Sequence, residues 1–599
     1  MKMQGLMMAA SLAALTATGC VCKPEYQEPD LYIEAEKPPE TPPTPEKIDP
    51  MAFDTGTAWG AYLSDFLDSY FPVNPDFAIY QGRHEYDGKL PDWSPAGLRL
   101  AIDQRKQAID AANALDEAEL SDADKYERGY LIHVLEGELF WLEEADWPHR
   151  NPDYYVGALD PNVYIARPYA DAETRMKAFI AYAKNIPEAA AQIETNLKLP
   201  LSETYLKYGQ AAFSGFAEYY SGDAKAAFAE VGDAALQAEF DAAAAEAATA
   251  MQALSDHIGS VKPTKDGFAL GAQKFSDMVR LTEAVDIPLS ELKAIGQADL
   301  KRNQDALKAA CAEYAPGLEL GACMDKMGAN KPAIGPVEEA REQLPELRAF
   351  IEANDIVTIP GTEQALVEES PPYNRQNSAY IDIPGPYETG LPSVYYISPP
   401  DPAWDEETRN AYVPGKEDLL FTSVHEVWPG HFLNFLHSNR AESPLGKLFV
   451  GYAFAEGWAH YTEEMMFEAG LHDGDPETHI GQLSNALLRD CRYLSAIGLH
   501  AEGMTVQQSY DLFRTECYQD AGNAAQQSAR GTYDPAYLNY TMGKLMIRKL
   551  RADWTAKHYP DDPRAGWREF HDEFLSYGGP PIPLVRKEMM DEAEVKAVF

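Results

Sequence analysis

The chain has 599 residues, of which 45% are hydrophobic and 11% aromatic, so it is long enough to bury a large core and to form more than one lobe. Its formal net charge is -45, from 95 acidic and 50 basic residues. A surface this acidic repels phosphate groups, which excludes nucleic acid as a partner and excludes charge-driven binding to anionic lipids.

Residues 1–20 predict a secretory signal peptide, because Lys2 precedes an apolar run that is too short to span a bilayer. The ending Ala17-Thr18-Gly19-Cys20 resembles a bacterial lipoprotein cleavage box, in which Cys20 becomes the lipid-modified first residue. The alternative is ordinary signal-peptidase cleavage, in which Cys20 has no role. We therefore expect an exported, lipid-anchored protein. Val21 rather than Asp follows the cysteine, and by likeness to Gram-negative sorting this directs the protein to the outer membrane, facing the periplasm or the cell surface.

The next segments predict a tether and a helical lobe. Residues 21–50 are rich in Pro and Glu and poor in apolar residues, so they cannot bury enough surface to fold and read as a tether. Residues 51–365 are patterned mainly as helices, with Ala-rich stretches such as 178–197 and 240–258 that carry apolar residues at helical spacing. We expect an N-terminal helical lobe here. No later stretch is apolar enough for a transmembrane helix, so the lipid is the expected membrane contact.

A second lobe is predicted over residues 366–599, and it begins with a break in the helical pattern. Residues 370–402 mix Pro, Gly and aromatic residues, and the short runs Ser378–Ile383 and Ser393–Ser398 predict a pair of strands.

Four cysteines remain for the folded body of an exported protein: Cys311, Cys323, Cys491 and Cys517. They form no CxxC pair, so a cysteine zinc site is not expected, whereas disulfides persist outside the cytoplasm. Four cysteines allow three pairings, and the simplest joins Cys311 to Cys323 and Cys491 to Cys517.

A metal-binding pattern lies in His425-Glu426-Val427-Trp428-Pro429-Gly430-His431. Zinc is commonly held by two His and one carboxylate, and in HExxH helices the Glu beside the first His acts as general base. Here the two His are six residues apart, which turns an ideal helix by about 600° and points them in different directions. Proline disrupts the helical ladder and glycine tolerates unusual dihedrals, so Pro429-Gly430 allows a loop that returns His431 to His425.

The third ligand is expected from the helical segment GYAFAEGWAHYTEEMMFEAG. Glu456, His460 and Glu463 fall on one face of that helix, and Gly457 allows close approach to another helix. We predict that Glu456 binds the metal and that His460 and Glu463 support the ligands. The alternative for Glu456 is a solvated helix carboxylate.

The paired HExxPGH and EGWAxYxE motifs resemble the bacterial family called domain of unknown function 885. Weaker similarities cover most of residues 60–590: Phe71-Pro72, the run Gly82-Arg83-His84-Glu85-Tyr86-Asp87, Leu90-Pro91-Asp92, Tyr395-Tyr396, Arg492 with His500, Tyr540-x-x-Gly543 and Leu550-Arg551. The family often has an Asp four residues before the histidine at position 500, where this chain has Ala496. The resemblance implies a fold like that of the mostly helical gluzincin metallopeptidases. It also implies that the strand near Ser393–Ser398 pairs with an extended peptide by edge addition.

Related gluzincin peptidases often use a Tyr or His from a late helix to stabilise the oxyanion, which makes Tyr540 and His500 candidate catalytic residues. The alternatives are a packed core Tyr and a hydrogen-bonded core His. The chain has no GxSxG motif, so serine hydrolysis is not indicated.

Together these patterns predict a mainly α, two-lobed, metallopeptidase-like fold with a small β-sheet near the active-site helix. The expected function is a zinc hydrolase, in particular a peptidase that acts on peptide substrates with Glu426 as general base. Two alternatives are a non-catalytic zinc-containing lipoprotein that binds a ligand, and a zinc hydrolase of non-peptide amides or esters. The sequence indicates no oligomeric state.

Overall fold

The computed structural model describes residues 54–599 except 265–266, 371–374, 376–377, 401 and 403–404. The predicted signal peptide, the lipid attachment at Cys20 and the tether over residues 21–50 lie outside the described residues.

The described chain is mainly helical with a three-stranded sheet, as the sequence predicted. The helices before the sheet are α1 (Ala58–Val73), α2 (Pro75–Tyr80), α3 (Pro95–Asn113), α4 (Asp122–Leu139), α5 (Trp147–Arg150), α6 (Asp153–Val156), α7 (Asn162–Ala166), α8 (Ala172–Asn196), α9 (Glu203–Ser221), α10 (Asp223–Ala227), α11 (Ala234–Ser260), α12 (Ala272–Glu283), α13 (Leu289–Tyr314), α14 (Leu320–Gly328) and α15 (Pro336–Ala353). The strands are β1 (Ala365–Glu369), β2 (Ala379–Asp382) and β3 (Ser393–Ile397). The later helices are α16 (Glu406–Tyr412), α17 (Lys416–Glu426), α18 (His431–Ser438), α19 (Pro444–Leu448), α20 (Tyr452–Glu468), α21 (Pro476–Ala501), α22 (Val506–Thr515), α23 (Ala521–Tyr533), α24 (Asn539–His558), α25 (Trp567–Ser576) and α26 (Ile582–Met590).

Side-chain caps fix where several long helices begin. Asp171 accepts a hydrogen bond from the backbone N–H of Thr174 at the start of α8, which satisfies one of the free N–H groups of that helix. Asp475 does the same for α21, and Pro476 at its first position needs no N–H partner. These signals are local, so the sequence alone places these helix starts.

Apolar side chains form a core of their own among the early helices and a larger core that crosses the predicted lobe boundary. Helices α8, α9 and α11 pack on one another through rings such as Phe179, Tyr220 and Phe240. In the larger core, α13 packs along α21 and α15 packs on α17. Residues on both sides of position 365 therefore share one core, and the division into two lobes at that position stays a prediction.

The sheet has the order β1-β3-β2. β3 pairs in parallel with β1, with Val367 opposite Tyr395, and antiparallel with β2, with Tyr380 opposite Tyr396. The predicted strand pair is confirmed as β2 and β3, and β1 is an additional strand. Edge addition at Ser393–Ser398 was a wrong prediction, because β3 has a partner on each side and β1 and β2 are the edge strands of the described sheet.

Both simple disulfide pairings are confirmed. Cys311–Cys323 links α13 to α14, and Cys491–Cys517 links α21 to the turn that follows α22. In the part of the chain that the structure describes, no helix has the length and apolar character needed to cross a membrane.

Candidate metal centre

The two histidines of the motif lie on separate helices. α17 ends at Glu426, and α18 begins at His431. The loop predicted at Pro429-Gly430 is a full break, because the turn from Val427 to Gly430 ends the first helix and starts another. The expected return of His431 is confirmed, since the ring centroids of His425 and His431 are 4.8 Å apart.

Gly430 makes this tight turn possible. Its backbone N–H donates to the carbonyl of Val424 at 2.9 Å, so the turn folds back directly onto α17. A Cβ atom at position 430 would lie 1.7 Å from the carbonyl oxygen of His425, a distance that no side chain tolerates. The indole of Trp458 on α20 donates to the carbonyl of Pro429 at 2.8 Å and so ties the turn to the helix that carries Glu456.

Glu456 completes a group of three possible metal ligands. Its Oε2 atom lies 3.2 Å from Nε2 of His425 and 3.3 Å from Nε2 of His431. One ligand atom from each residue lies within 4.8 Å of the others. The structure therefore brings the three predicted ligands together. His431 follows His425 by six positions, and the rest of α18 and all of α19 lie between His431 and Glu456.

Two glycines let α20, the helix that supplies Glu456, pack closely against α24. A Cβ atom on Gly457 would lie 2.5 Å from Cα of Gly543, so α20 and α24 pack almost backbone to backbone at this point. This confirms the expectation that Gly457 allows a close helix approach. It also brings Tyr540, one turn before Gly543, beside Glu456.

The two predicted supporting residues form a chain behind His425. The Nδ1 atom of His425 lies 2.7 Å from Oε1 of Glu463, and Nδ1 of His460 lies 3.1 Å from Oε2 of the same carboxylate. Arg489 approaches Oε1 of Glu463 at 3.2 Å. Because Glu463 accepts from Nδ1–H of His425, the lone pair of that imidazole is left on Nε2, which faces His431 and Glu456.

Electrostatic attraction and hydrogen bonding shift the pKa values of His425 and Glu456 strongly. Burial alone lowers the pKa of His425, but hydrogen bonds to Glu456 and Glu463 outweigh it and raise the pKa to about 9. Burial raises the pKa of Glu456, yet the nearby imidazoles of His431 and His425 hold it well below its usual range. A carboxylate held this close to two imidazoles attracts positive charge, which a divalent cation bound by all three groups would also supply.

The ligand group opens onto a cleft of about 760 Å³. Glu426 is half-buried and lines the cleft beside the two histidines, as expected for a residue about 100° from His425 around the helix. Strand β2 lines the same cleft with Tyr380 and Ile381.

Tyr540 also lies in the cleft, where its hydroxyl donates to Oε1 of Glu456 at 3.0 Å. Three guanidinium groups surround its ring, with Cζ 4.8 Å from the centroid for Arg492, 5.7 Å for Arg489 and 5.9 Å for Arg530. Sequence reasoning missed the roles of Arg489 and Arg530. The spacing Asn485, Arg489, Arg492 on one face of an otherwise apolar helix was the signal available.

His500 is not brought to the cleft. It is buried, its Nε2 atom donates to the carbonyl of Gly531 at 2.7 Å, and Nδ1 accepts from the N–H of Leu270 at 3.4 Å. Burial lowers its pKa to about 4, so the ring stays neutral. The prediction of a catalytic His500 is corrected, because both of its ring nitrogens bond to backbone groups. These groups belong to Leu270, just before α12, and to Gly531 in α23.

The fold and site define a mainly helical protein with a His-His-Glu group at the base of a cleft. The chain matches the family described as "Bacterial protein of unknown function (DUF885)" over residues 75–589. It belongs to this family, which confirms that part of the resemblance seen in the sequence.

Two solved structures have the same fold. One is named as a lipoprotein of unknown function from Shewanella oneidensis, with a TM-score of 0.73 and 22% identity over 89% of this chain and 100% of that chain. The other is named as a lipoprotein from Colwellia psychrerythraea, with a TM-score of 0.73 and 17% identity over 89% of this chain and 99% of that chain. None of the curated proteins matches this chain.

Proposed function

We propose that this protein is a zinc-dependent hydrolase, specifically a peptidase of gluzincin type. The observation that carries the proposal is the convergence of His425, His431 and Glu456 beside Glu426 at the base of an open cleft. A purely structural zinc site is normally closed by four protein ligands and needs no carboxylate poised over an open side.

The residues fit zinc by their chemistry. Two imidazole nitrogens and one carboxylate oxygen form the commonest ligand set of catalytic zinc sites, and Glu463 fixes the tautomer that leaves Nε2 of His425 available. When bound, zinc would act as a Lewis acid that polarises a carbonyl group and acidifies water.

Two side chains of the cleft then handle protons and charge. The carboxylate of Glu426 takes a proton from the attacking water and passes it to the nitrogen of the leaving amine. The hydroxyl of Tyr540 donates a hydrogen bond toward the oxygen on which negative charge develops, and it is held near this position by Glu456.

The position of the sheet beside the cleft favours an extended peptide as the substrate over a compact molecule. Of the two edge strands of the described sheet, β2 lines the cleft, with Tyr380 and Ile381. An extended peptide that adds to β2 would lie along the cleft with its backbone near the ligand group.

We also propose that the protein is exported and lipid-anchored through Cys20, in the outer membrane. The sequence around Cys20 and the names of the two structural relatives support this. Cells grown with a fatty-acid analogue should label the wild type and not Cys20→Ser. Equal labelling of the two would contradict the lipid anchor.

A peptide-library digest by the wild type and Glu426→Gln, read by mass spectrometry, tests the peptidase. The variant keeps the size of the side chain and removes the base, so we expect normal zinc content and at least about a hundredfold slower cleavage. Glu442→Gln, at an exposed position, is the matched control and should cleave like the wild type.

Other outcomes would redirect the proposal. A wild type that holds zinc and cleaves no peptide would favour the amide or ester hydrolase, or the non-catalytic zinc lipoprotein. Equal cleavage by Glu426→Gln and the wild type would mean that Glu426 is not the base.

A further inference from the structure

The guanidinium of Arg492 is buried in the cleft wall without an acidic partner. The residue is 8% exposed, and its Nε atom donates to the amide oxygen of Gln527 at 2.8 Å. Among the described residues, no carboxylate forms an ion pair with Arg492, and the neighbouring Arg489 and Arg530 have the partners Glu463 and Asp534. A buried charge normally requires a counter-charge, so this arginine lacks one that a ligand can supply.

The charged groups around Arg492 increase its need for a counter-charge. Burial lowers the pKa of Arg492, and repulsion from Arg530 and Arg489 lowers it further. Three guanidinium groups lie around the ring of Tyr540 and form an arginine patch, in which Arg492 is the member without a carboxylate partner among the described residues. The planar fork of an arginine matches a carboxylate, because two N–H groups can bind its two oxygens.

The patch lies close to the candidate metal centre. Arg489, Arg492 and Arg530 all approach Tyr540, and the hydroxyl of Tyr540 contacts the ligand Glu456. The side chain of Tyr540 lies between Arg492, 4.8 Å from its ring centroid, and Glu456, 3.0 Å from its hydroxyl. An extended chain advances about 3.5 Å per residue, so roughly one or two residues span the width of this side chain.

We infer that Arg492, with Arg530, binds the free C-terminal carboxylate of a peptide, which makes the protein a carboxypeptidase-type enzyme that removes one or two residues. This inference rests on the proposed peptidase function and names its substrate class. Arg489 is engaged with Glu463 and so is not assigned to the carboxylate.

The test uses two peptides of identical sequence, one with a free C-terminal acid and one with a C-terminal amide, given to the zinc-loaded full-length protein. We expect kcat/KM to be about ten- to a hundredfold higher for the acid, the range for one charge-assisted contact, and products shortened at the C-terminus by one or two residues. Arg492→Gln should reduce cleavage of the acid to the rate of the amide. Arg492→Lys, which keeps the charge but loses the fork, should fall between them.

Two further variants test whether the effect of Arg492→Gln comes only from a loss of fold. Arg530→Gln changes a side chain that is 29% exposed and should also lower the preference for the acid. Arg99→Gln, at an exposed position on α3, should match the wild type. Equal cleavage of the acid and the amide by the wild type, or cleavage in the middle of the peptide, would overturn the carboxylate site and leave the peptidase standing.

Binding of the two intact peptides to zinc-loaded Glu426→Gln, measured by calorimetry, separates the two proposals. Preference for the acid that disappears in Glu426→Gln/Arg492→Gln supports the carboxylate site even if the wild type cleaves neither peptide. The inference is wrong if neither peptide is preferred. It is also wrong if inorganic phosphate binds in an Arg492-dependent way and the peptide with the free acid does not.

Discussion

The Nδ1 atom of His425 lies 2.7 Å from Oε1 of Glu463, and neither side chain has more than 6% of its surface exposed. Glu463 lies two turns after Glu456 on α20, so a single helix carries both a candidate ligand and the carboxylate that orients another candidate ligand. Loss of Glu463 should therefore weaken the metal site without removing any ligand.

The first prediction concerns the ligands. We expect about one zinc per purified chain by elemental analysis, as for a mononuclear site, and little zinc in His425→Ala, His431→Ala or Glu456→Ala, because each change removes one of three donors. His437→Ala is the matched control, since His437 lies on α18 after His431 and its ring contacts the carbonyl of Thr358. Full zinc content in all three ligand variants would refute the assignment.

The second prediction concerns Glu463. Glu463→Gln keeps the shape of the side chain and removes the charge that orients His425, so zinc should bind about 10- to 100-fold more weakly. Competition with a zinc chelator measures this affinity. Glu468→Gln, near the end of the same helix with a one-third exposed side chain, should leave it unchanged. An unchanged affinity in Glu463→Gln would mean that the hydrogen bond does not tune the ligand.

The third prediction concerns Tyr540. Tyr540→Phe removes the hydroxyl that contacts Glu456 and keeps the ring between the arginines. We expect kcat to fall by about 10²–10³, the usual loss for one oxyanion donor, with normal zinc content. Tyr461→Phe is the control, because the hydroxyl of Tyr461 contacts His571 outside the cleft. A change in KM alone would indicate that Tyr540 only helps to bind substrate.

The fourth prediction concerns the turn between the histidines. Gly430→Ala would place Cβ 1.7 Å from the carbonyl oxygen of His425, so the turn must open and His431 must move away. We expect loss of zinc and a free energy of unfolding lower by about 1–3 kcal/mol. Denaturant titration and zinc analysis measure the two effects.

The control for this change is another glycine. Gly129→Ala places Cβ in open space on the exposed face of α4, where no other atom lies within 4 Å. This variant should be more stable by about 0.5–1 kcal/mol, because alanine loses less backbone entropy in a helix than glycine. Zinc retained in Gly430→Ala at the level of Gly129→Ala would show that the turn tolerates the side chain.

The sequence by itself determined the helical class and the strand pair β2–β3, and it predicted the local disulfides and the grouping of His425, His431 and Glu456. These features rest on short-range patterns: helical spacing, capping residues, the break at Pro429-Gly430, and the i, i+4, i+7 placement of Glu456, His460 and Glu463. Each pattern fixes which face of an element a side chain occupies, and that is enough to group residues that belong to one helix or to adjacent helices.

Only the tertiary structure decided between Tyr540 and His500, which the sequence presented as equivalent. His500 lies eight residues after Arg492 on α21, about 12 Å farther along the helix, and there it meets the backbone of Gly531 instead of the cleft. Tyr540 reaches the cleft because Gly457 and Gly543 let α24 approach α20. The same long-range packing gathers Arg492 of α21 and Arg530 of α23 around Tyr540, since where separate helices cross depends on the side chains between them and not on spacing along either one.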